Sequence, residues 1–156
     1  MKQNPKESTN GDTPIIAGRN LKKFYQMGEV TVKALNGVDV EIYEGELIVI
    51  LGPSGSGKST LLNIIGGMDK PTEGELYYRG SPIHTADPKK LTQYRRSAVG
   101  FVFQFFNLIP SLTAYENILL SAQIAQNPLP IEDILKKIGL LERANHFPSQ
   151  LSGGEQ

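Results

Sequence analysis

The sequence of 156 residues contains no cysteine. Disulfides, thiolate metal sites and cysteine nucleophiles are therefore excluded. Charge of either sign is not in excess: 16 basic residues balance 16 acidic ones, and no basic stripe interleaved with aromatics is present. That argues against a nucleic-acid binder working through bulk electrostatics. Long hydrophobic runs are missing too. The longest apolar stretches are Leu47 to Leu51, Leu61 to Ile65 and Phe101 to Leu112, the last broken by Gln104, Asn107 and Pro110. All fall short of the ~18–20 residues that cross a bilayer. The opening MKQNPKESTNGDTP has no apolar core of a signal peptide, and Met1–Thr13 reads as a disordered tail. What remains, 39% hydrophobic and 21% charged, is ordinary for one globular domain.

Patterning orders the rest. From Ile15 to Leu51 apolar residues mostly alternate: Val30, Val32 and Ala34, then Val38, Val40 and Ile42, bounded by Gly28, Asn36-Gly37 and Glu44-Gly45. This predicts short strands joined by turns. GELIVILG, ending at Gly52, is a continuous apolar run and predicts a fully buried, parallel central strand. A helix is expected over Lys58–Met68 and a strand over GELYYRG. Another helix is expected over DPKKLTQYRRSA, with Asp87 as N-cap and Pro88 at its first position. VGFVFQ predicts a second buried strand. Beyond Pro110 the spacing becomes helical, in SLTAYENILLSAQIA and PIEDILKKIGLLERA, giving a helical subdomain over about 113–146.

The chemistry lies in GPSGSGKST, Gly52, Pro53, Ser54, Gly55, Ser56, Gly57, Lys58, Ser59 and Thr60, which fits G-x-x-x-x-G-K-S/T in full. It stands between a predicted strand and a predicted helix, where a phosphate-binding loop must stand. Glycines let the backbone wrap an anion, N–H groups from Gly55 to Thr60 converge on it, and the helix dipole adds attraction. Lys58 would reach the β- and γ-phosphates of a nucleotide, the Ser59 hydroxyl would ligate Mg²⁺, and Thr60 would hold the α-phosphate side. The loop alone does not choose among kinases, GTPases, helicases and transport ATPases.

Further stretches narrow the choice. LSGGEQ matches the LSGGQ signature of ABC proteins with Glu155 in place of Gln; VFQFFNLIPSLTAYENI matches the Q-loop segment; FYQMGEVTVKALNGVDVEIYEGE matches the strand pair with the base-stacking aromatic; GGMDKPTEGELYYRG matches the turn and strand after the loop's helix. From Ile15 to Gln156 the chain resembles the nucleotide-binding domain of an ABC transporter, in the lipoprotein-release and macrolide-export subfamily. The resemblance implies an α/β P-loop NTPase of ABC type over residues 14–156, with an antiparallel β subdomain, a partial RecA-like core and a helical subdomain. It implies ATP and Mg²⁺ as cofactors, integral membrane permease subunits as partners, a head-to-tail homodimer, no nucleic acid, and a peripheral place on the cytoplasmic face of the membrane.

Roles follow residue by residue. Tyr25 falls at the adenine-stacking position. Gln104 falls at the Q-loop glutamine, positioning water and Mg²⁺. Ser152, Gly153 and Gly154 would close over the γ-phosphate held by a partner copy. Phe105, Phe106, Leu108 and Ile109 lie where the family receives a membrane subunit's coupling helix. His84, His146 and the carboxylates Asp39, Glu41, Glu44 and Glu46 are expected to be structural or surface groups.

Within these residues the resemblance finds no Walker B strand, no catalytic glutamate, no D-loop and no switch histidine. The expectation is a chain cut inside its signature, able to bind ATP without turning it over, and marginally stable because Leu47–Leu51 lacks a pairing strand. The helical segment between Leu120 and Gly139, interrupted by Asn127-Pro128-Leu129-Pro130, is shorter than the subfamily leads one to expect. Three rival readings remain: a non-catalytic nucleotide-binding regulatory module, a small-metabolite kinase using Arg95 and Arg96, and a soluble ABC protein of repair or translation.

Overall fold

The computed structural model describes residues 13–156, so the tail expected over Met1–Thr13 lies, apart from Thr13, outside the described residues. The chain divides into two compact units between Arg95 and Arg96.

The first unit is built on an antiparallel sheet. Strand β1 (Ile16–Met27) and strand β2 (Val30–Ile42) form a long hairpin closed at Gly28-Glu29. Gly28 has a φ of 62°, which a two-residue hairpin loop asks of its first position. The sequence reading of two short strands here is corrected. Asn36-Gly37 does not end a strand; it is a bulge, where the register moves from Leu21↔Val38 to Lys22↔Asn36. Strands β3 (Glu73–Tyr78) and β4 (Ser81–Pro82) complete the order β2-β1-β3-β4.

Helix α1 (Lys58–Ile65) lies in the first unit, and helix α2 (Pro88–Ala98) begins there. The N-cap expectation for α2 holds: the Lys90 N–H donates to Asp87 Oδ1 at 2.8 Å, and Pro88 opens the helix. Leu21, Leu35, Ile64 and Leu76 are buried, with Leu91 and Tyr94 of α2. Tyr94 stands edge-on to Tyr78, centroids 5.1 Å apart, and its hydroxyl donates to the Ile65 carbonyl at the end of α1. Burial pushes the Tyr94 hydroxyl up to about 12, so it stays a donor at any ordinary pH.

The second unit is helical. Helix α3 (Ala114–Ile124) starts with a capping box: the Glu116 N–H donates to Thr113 Oγ1, and the Glu116 carboxylate accepts from the Thr113 N–H at 2.7 Å. One turn into α3, Asn117 clamps the preceding loop. Its Oδ1 accepts from the Ile109 N–H, and its Nδ2 donates to the Leu112 carbonyl at 3.0 Å. Helix α4 (Ile131–Lys137) ends at Gly139, whose φ of 74° lets the Leu140 N–H return to Leu135. Ile131 and Leu135 of α4, with Leu151, are the buried apolar groups of the second unit.

Two expected strands are corrected. Residues 46–53 and 99–103 form neither helix nor strand, and neither segment joins a sheet among the described residues. Leu47 is 93% and Leu51 86% exposed. An apolar run becomes a central strand only when a neighbour takes up its N–H and C=O groups, and no described strand pairs with either run. Sequence pattern records the burial a segment is suited to, and the pairing has to come from elsewhere in a chain.

Candidate functional site

The glycine loop sets the site. It runs through turns from the unpaired stretch into α1. Gly55 and Gly57 have φ of 78° and 88°, a region that costs other L-residues about 1–2 kcal/mol. Gly57 is constrained twice, since a Cβ there would lie 2.3 Å from the Ala34 carbonyl oxygen of β2. The loop is pressed onto the hairpin, and only glycine fits where it becomes helix. The Ser56 N–H donates to the Pro53 carbonyl and closes the turn.

Lys58 curls over this turn. Its Nζ donates to the Gly52 carbonyl at 2.9 Å, the Pro53 carbonyl at 2.7 Å and Ser56 Oγ at 3.3 Å. The first helical bond runs from the Leu61 N–H to Gly57. The N–H groups of Lys58, Ser59 and Thr60 therefore precede the helical ladder, at the positive end of the helix dipole. Gly57 offers no side chain to cap them. Beside the loop is a groove of about 580 Å³, lined by Ser54 to Thr60 and by Val32, Lys33 and Ala34. Two lysines and no carboxylate stand on it. Its chemistry suits an anion.

Tyr25, half-exposed on β1, is brought to the same helix start. Its oxygen interacts with the Thr60 hydroxyl, and its O–H donates to Asp69 Oδ2 at 2.9 Å. Partial burial, then the Asp69 carboxylate, push the Tyr25 hydroxyl above its ordinary value. Lys23, two residues earlier on β1, places Nζ 5.1 Å from the Tyr25 ring centroid and 2.6 Å from Asp69 Oδ1. Desolvation pushes the Asp69 carboxyl up, but hydrogen bonds from Lys23, the Lys70 N–H and Tyr25 outweigh it and leave the group below its usual range. The sequence reading named Tyr25 and did not name Asp69 or Lys23. Their separation of 46 residues is bridged only by the turn after α1.

Gln104 and the signature belong to the second unit. Gln104 does not end a strand as expected; it lies exposed in the unpaired stretch, beside the stacked rings of Phe101 and Phe103. Phe105, Phe106 and Ile109 are exposed as well, and Leu108 is half-buried. Ser152, Gly153 and Gly154 are exposed and lead into a turn. The N–H groups of Glu155 and Gln156 both return to the Ser152 carbonyl at 3.0 Å. Glu155 reaches back, accepting from the Ser152 N–H at 2.8 Å, with Arg143 Nε 3.7 Å away. The bonds from Ser152 hold its carboxyl below the usual range. Glu155 thus supplies the acceptor that a capping box uses, a part that glutamine plays as well. The two histidines are structural: His84 Nδ1 contacts the Leu76 backbone, and the His146 carbonyl accepts from the Ala114 N–H.

A hairpin sheet, a glycine loop pressed onto it and a helix opened by that loop define a P-loop nucleotide-binding fold. Comparison with known proteins is specific. The sequence model of the family described as ABC transporter matches residues 35–156. An uncharacterized ABC transporter ATP-binding protein of Methanocaldococcus jannaschii, MJ0796, is 49% identical over 151 residues, 91% of this chain and 64% of that protein. A similarly described protein of Thermotoga maritima is 46% identical over 86% of this chain and 59% of its own length. The macrolide export ATP-binding/permease protein MacB of Marinobacter nauticus is 42% identical over 92% of this chain and 23% of its own length. A solved dimer of MJ0796 in a post-hydrolysis state with ADP and Pi superposes with a TM-score of 0.79 at 46% identity, over 90% of this chain and 64% of that one. The chain belongs to the ABC transporter family, and it spans 59% and 64% of the first two relatives.

Proposed function

We propose that the chain is the ATP-binding part of an ABC transporter, which in the whole protein couples ATP binding and hydrolysis to export or membrane extraction by permease subunits. The observation that carries this reading is the loop from Gly52 to Thr60, with Tyr25 of β1 brought to Thr60 at its helical end.

The residues present fit a nucleoside triphosphate with Mg²⁺. The N–H groups of Lys58, Ser59 and Thr60 would hold phosphate oxygens, and Lys58 would exchange the Gly52 and Pro53 carbonyls for the β- and γ-phosphates. The Ser59 hydroxyl would ligate the metal. No group of three His, Cys, Asp or Glu able to hold a metal occurs among the described residues. That suits an ion that keeps waters and phosphate oxygens as ligands. When bound, the ion neutralises charge on the phosphates during transfer. Tyr25 would stack on the base. Ser152, Gly153 and Gly154 would close over nucleotide held by a second copy in a head-to-tail dimer, a reading supported by the dimeric MJ0796 structure. The place of action is the cytoplasmic face of the membrane, with permease subunits as anchor; no helix of the described residues is long and apolar enough to cross.

Titration calorimetry with Mg·ATP tests the site. Lys58→Ala is expected to weaken binding at least about tenfold, roughly 1.4 kcal/mol, with circular dichroism unchanged; unchanged affinity would overturn the assignment.

A second reading, a nucleotide-binding module without catalysis, is favoured by the lining of the groove, which holds no carboxylate to polarise water. These 156 residues are expected to bind ATP and release no phosphate above background. Phosphate release that Lys58→Ala abolishes would defeat this reading and favour a catalytic one.

A further inference from the structure

We propose that Asp69 is a positioning residue for the nucleobase: it holds the Tyr25 ring in the orientation that receives a base, before any nucleotide arrives. The inference rests on the reading of Tyr25 as the stacking platform and adds the residue that sets its geometry.

Tyr25 projects from β1 with its ring half-exposed. A tyrosine so placed is free to turn about its side-chain bonds, and a mobile ring gives up that freedom when a base stacks on it. Here the far end of the ring is tied. Tyr25 O–H donates to Asp69 Oδ2 at 2.9 Å. Asp69 is itself fixed through its other oxygen, which accepts from Lys23 Nζ at 2.6 Å and from the Lys70 N–H at 2.7 Å. Lys23 Nζ also donates to the Lys70 carbonyl at 2.8 Å. Both ends of the arrangement are thus anchored in backbone, one in β1 and one in the turn that follows α1. That turn is rigid in its own right. The Met68 and Asp69 N–H groups both return to the Asn63 carbonyl of α1, and Gly67 stands at a φ of 69°. Asp69 therefore transmits the position of α1, the helix opened by the phosphate loop, to the ring expected to carry the base. Phosphate loop and base platform are set at one spacing through the Tyr25–Asp69 bond, a spacing that a nucleoside triphosphate needs and bare phosphate does not.

The test compares ATP with inorganic tripolyphosphate, each with Mg²⁺, by titration calorimetry on the full chain. The variants are Tyr25→Ala, Tyr25→Phe, Asp69→Asn and the double change Tyr25→Phe/Asp69→Asn. Tyr25→Phe removes the tying hydroxyl without touching the Asp69–Lys23 pair, so it stands if Asp69→Asn disturbs folding. Tyr25→Phe and Asp69→Asn are each expected to weaken ATP about three- to tenfold. The double variant should lose no more than either alone, because Tyr25→Phe removes the donor of the bond and Asp69→Asn, its Oδ1 held by Lys23 and the Lys70 N–H, puts an amide NH2 where Oδ2 accepted it. Tripolyphosphate affinity should not move. If Tyr25→Ala weakens ATP while Tyr25→Phe and Asp69→Asn do not, the platform stands and the positioning role falls. If Tyr25→Ala also leaves ATP unchanged, the platform itself falls. Equal loss of ATP and tripolyphosphate, or additive losses in the double variant, would make Asp69 a structural residue and overturn the proposal.

Discussion

Gly57 and Lys58 show how much one position can carry. At Gly57 a positive φ coincides with a Cβ-excluding contact against the Ala34 carbonyl. Gly57→Ala therefore faces roughly 1–2 kcal/mol from the backbone alone, plus displacement of the loop from β2. The expected outcome is a lower melting temperature together with loss of ATP binding. Gly80→Ala is the control, since its φ of 74° is similar but a Cβ there meets nothing within 4 Å; it should lower stability and leave binding intact. Lys58 differs in kind. Its three bonds go to exposed loop groups, so its removal should cost affinity far more than stability. Sequence identified both residues, because loop spacing is written directly in GPSGSGKST. Asp69 was not legible: an aspartate before Lys-Pro is ordinary turn composition, and only the fold delivers Tyr25 to it.

Among the elements, α3 is the one whose start can be titrated. The Glu116 carboxyl is held below the usual glutamate range, first by the Thr113 N–H and then by the Thr113 hydroxyl. A lowered folded value means that ionised Glu116 favours the folded state. Its contribution is fully present above the unfolded value and is lost as pH falls through the folded one. Helicity of α3 should thus weaken in acid below about pH 4.5, and Glu116→Gln should remove that part of the acid dependence in a circular-dichroism titration. An unchanged acid limb would show that the capping box does not act there. The T-x-x-E pattern of Thr113 and Glu116 was available in the sequence. The long hairpin was partly legible: alternation announced strands, but Asn36-Gly37 reads equally as a turn or a bulge, and register against β1 decides it.

For the molecule taken whole, the governing feature is the apolar stretch around Leu47 to Leu51, which no described strand covers. Leu47 and Leu51 stand almost fully in solvent, and zero net charge offers little repulsion between copies. These 156 residues alone are expected to bind apolar dyes and to associate with themselves. Leu47→Lys/Leu51→Lys should lower both dye fluorescence and light scattering; a monodisperse, dye-silent parent chain would contradict the idea. Core truncation is a separate matter. Leu21, fully buried in the first unit, and Leu135, fully buried in the second, should each cost about 2–5 kcal/mol on change to alanine, read by chemical denaturation.

What the sequence by itself determined is whatever depends on neighbours along the chain: the phosphate loop, the helix starts at Asp87 and Thr113, and the alternation of the hairpin. Loop spacing, caps and periodicity are local, so composition and order suffice to write them. What only the tertiary structure decided is whatever depends on distant partners. It joined two runs of alternation into one bulged strand, set Asp69 against Tyr25, and left the apolar runs at 46–53 and 99–103 unpaired. A strand is completed by backbone groups of another segment, and a hydrogen bond across 44 residues is completed by the path between them. Neither partner is specified by the residues that need it.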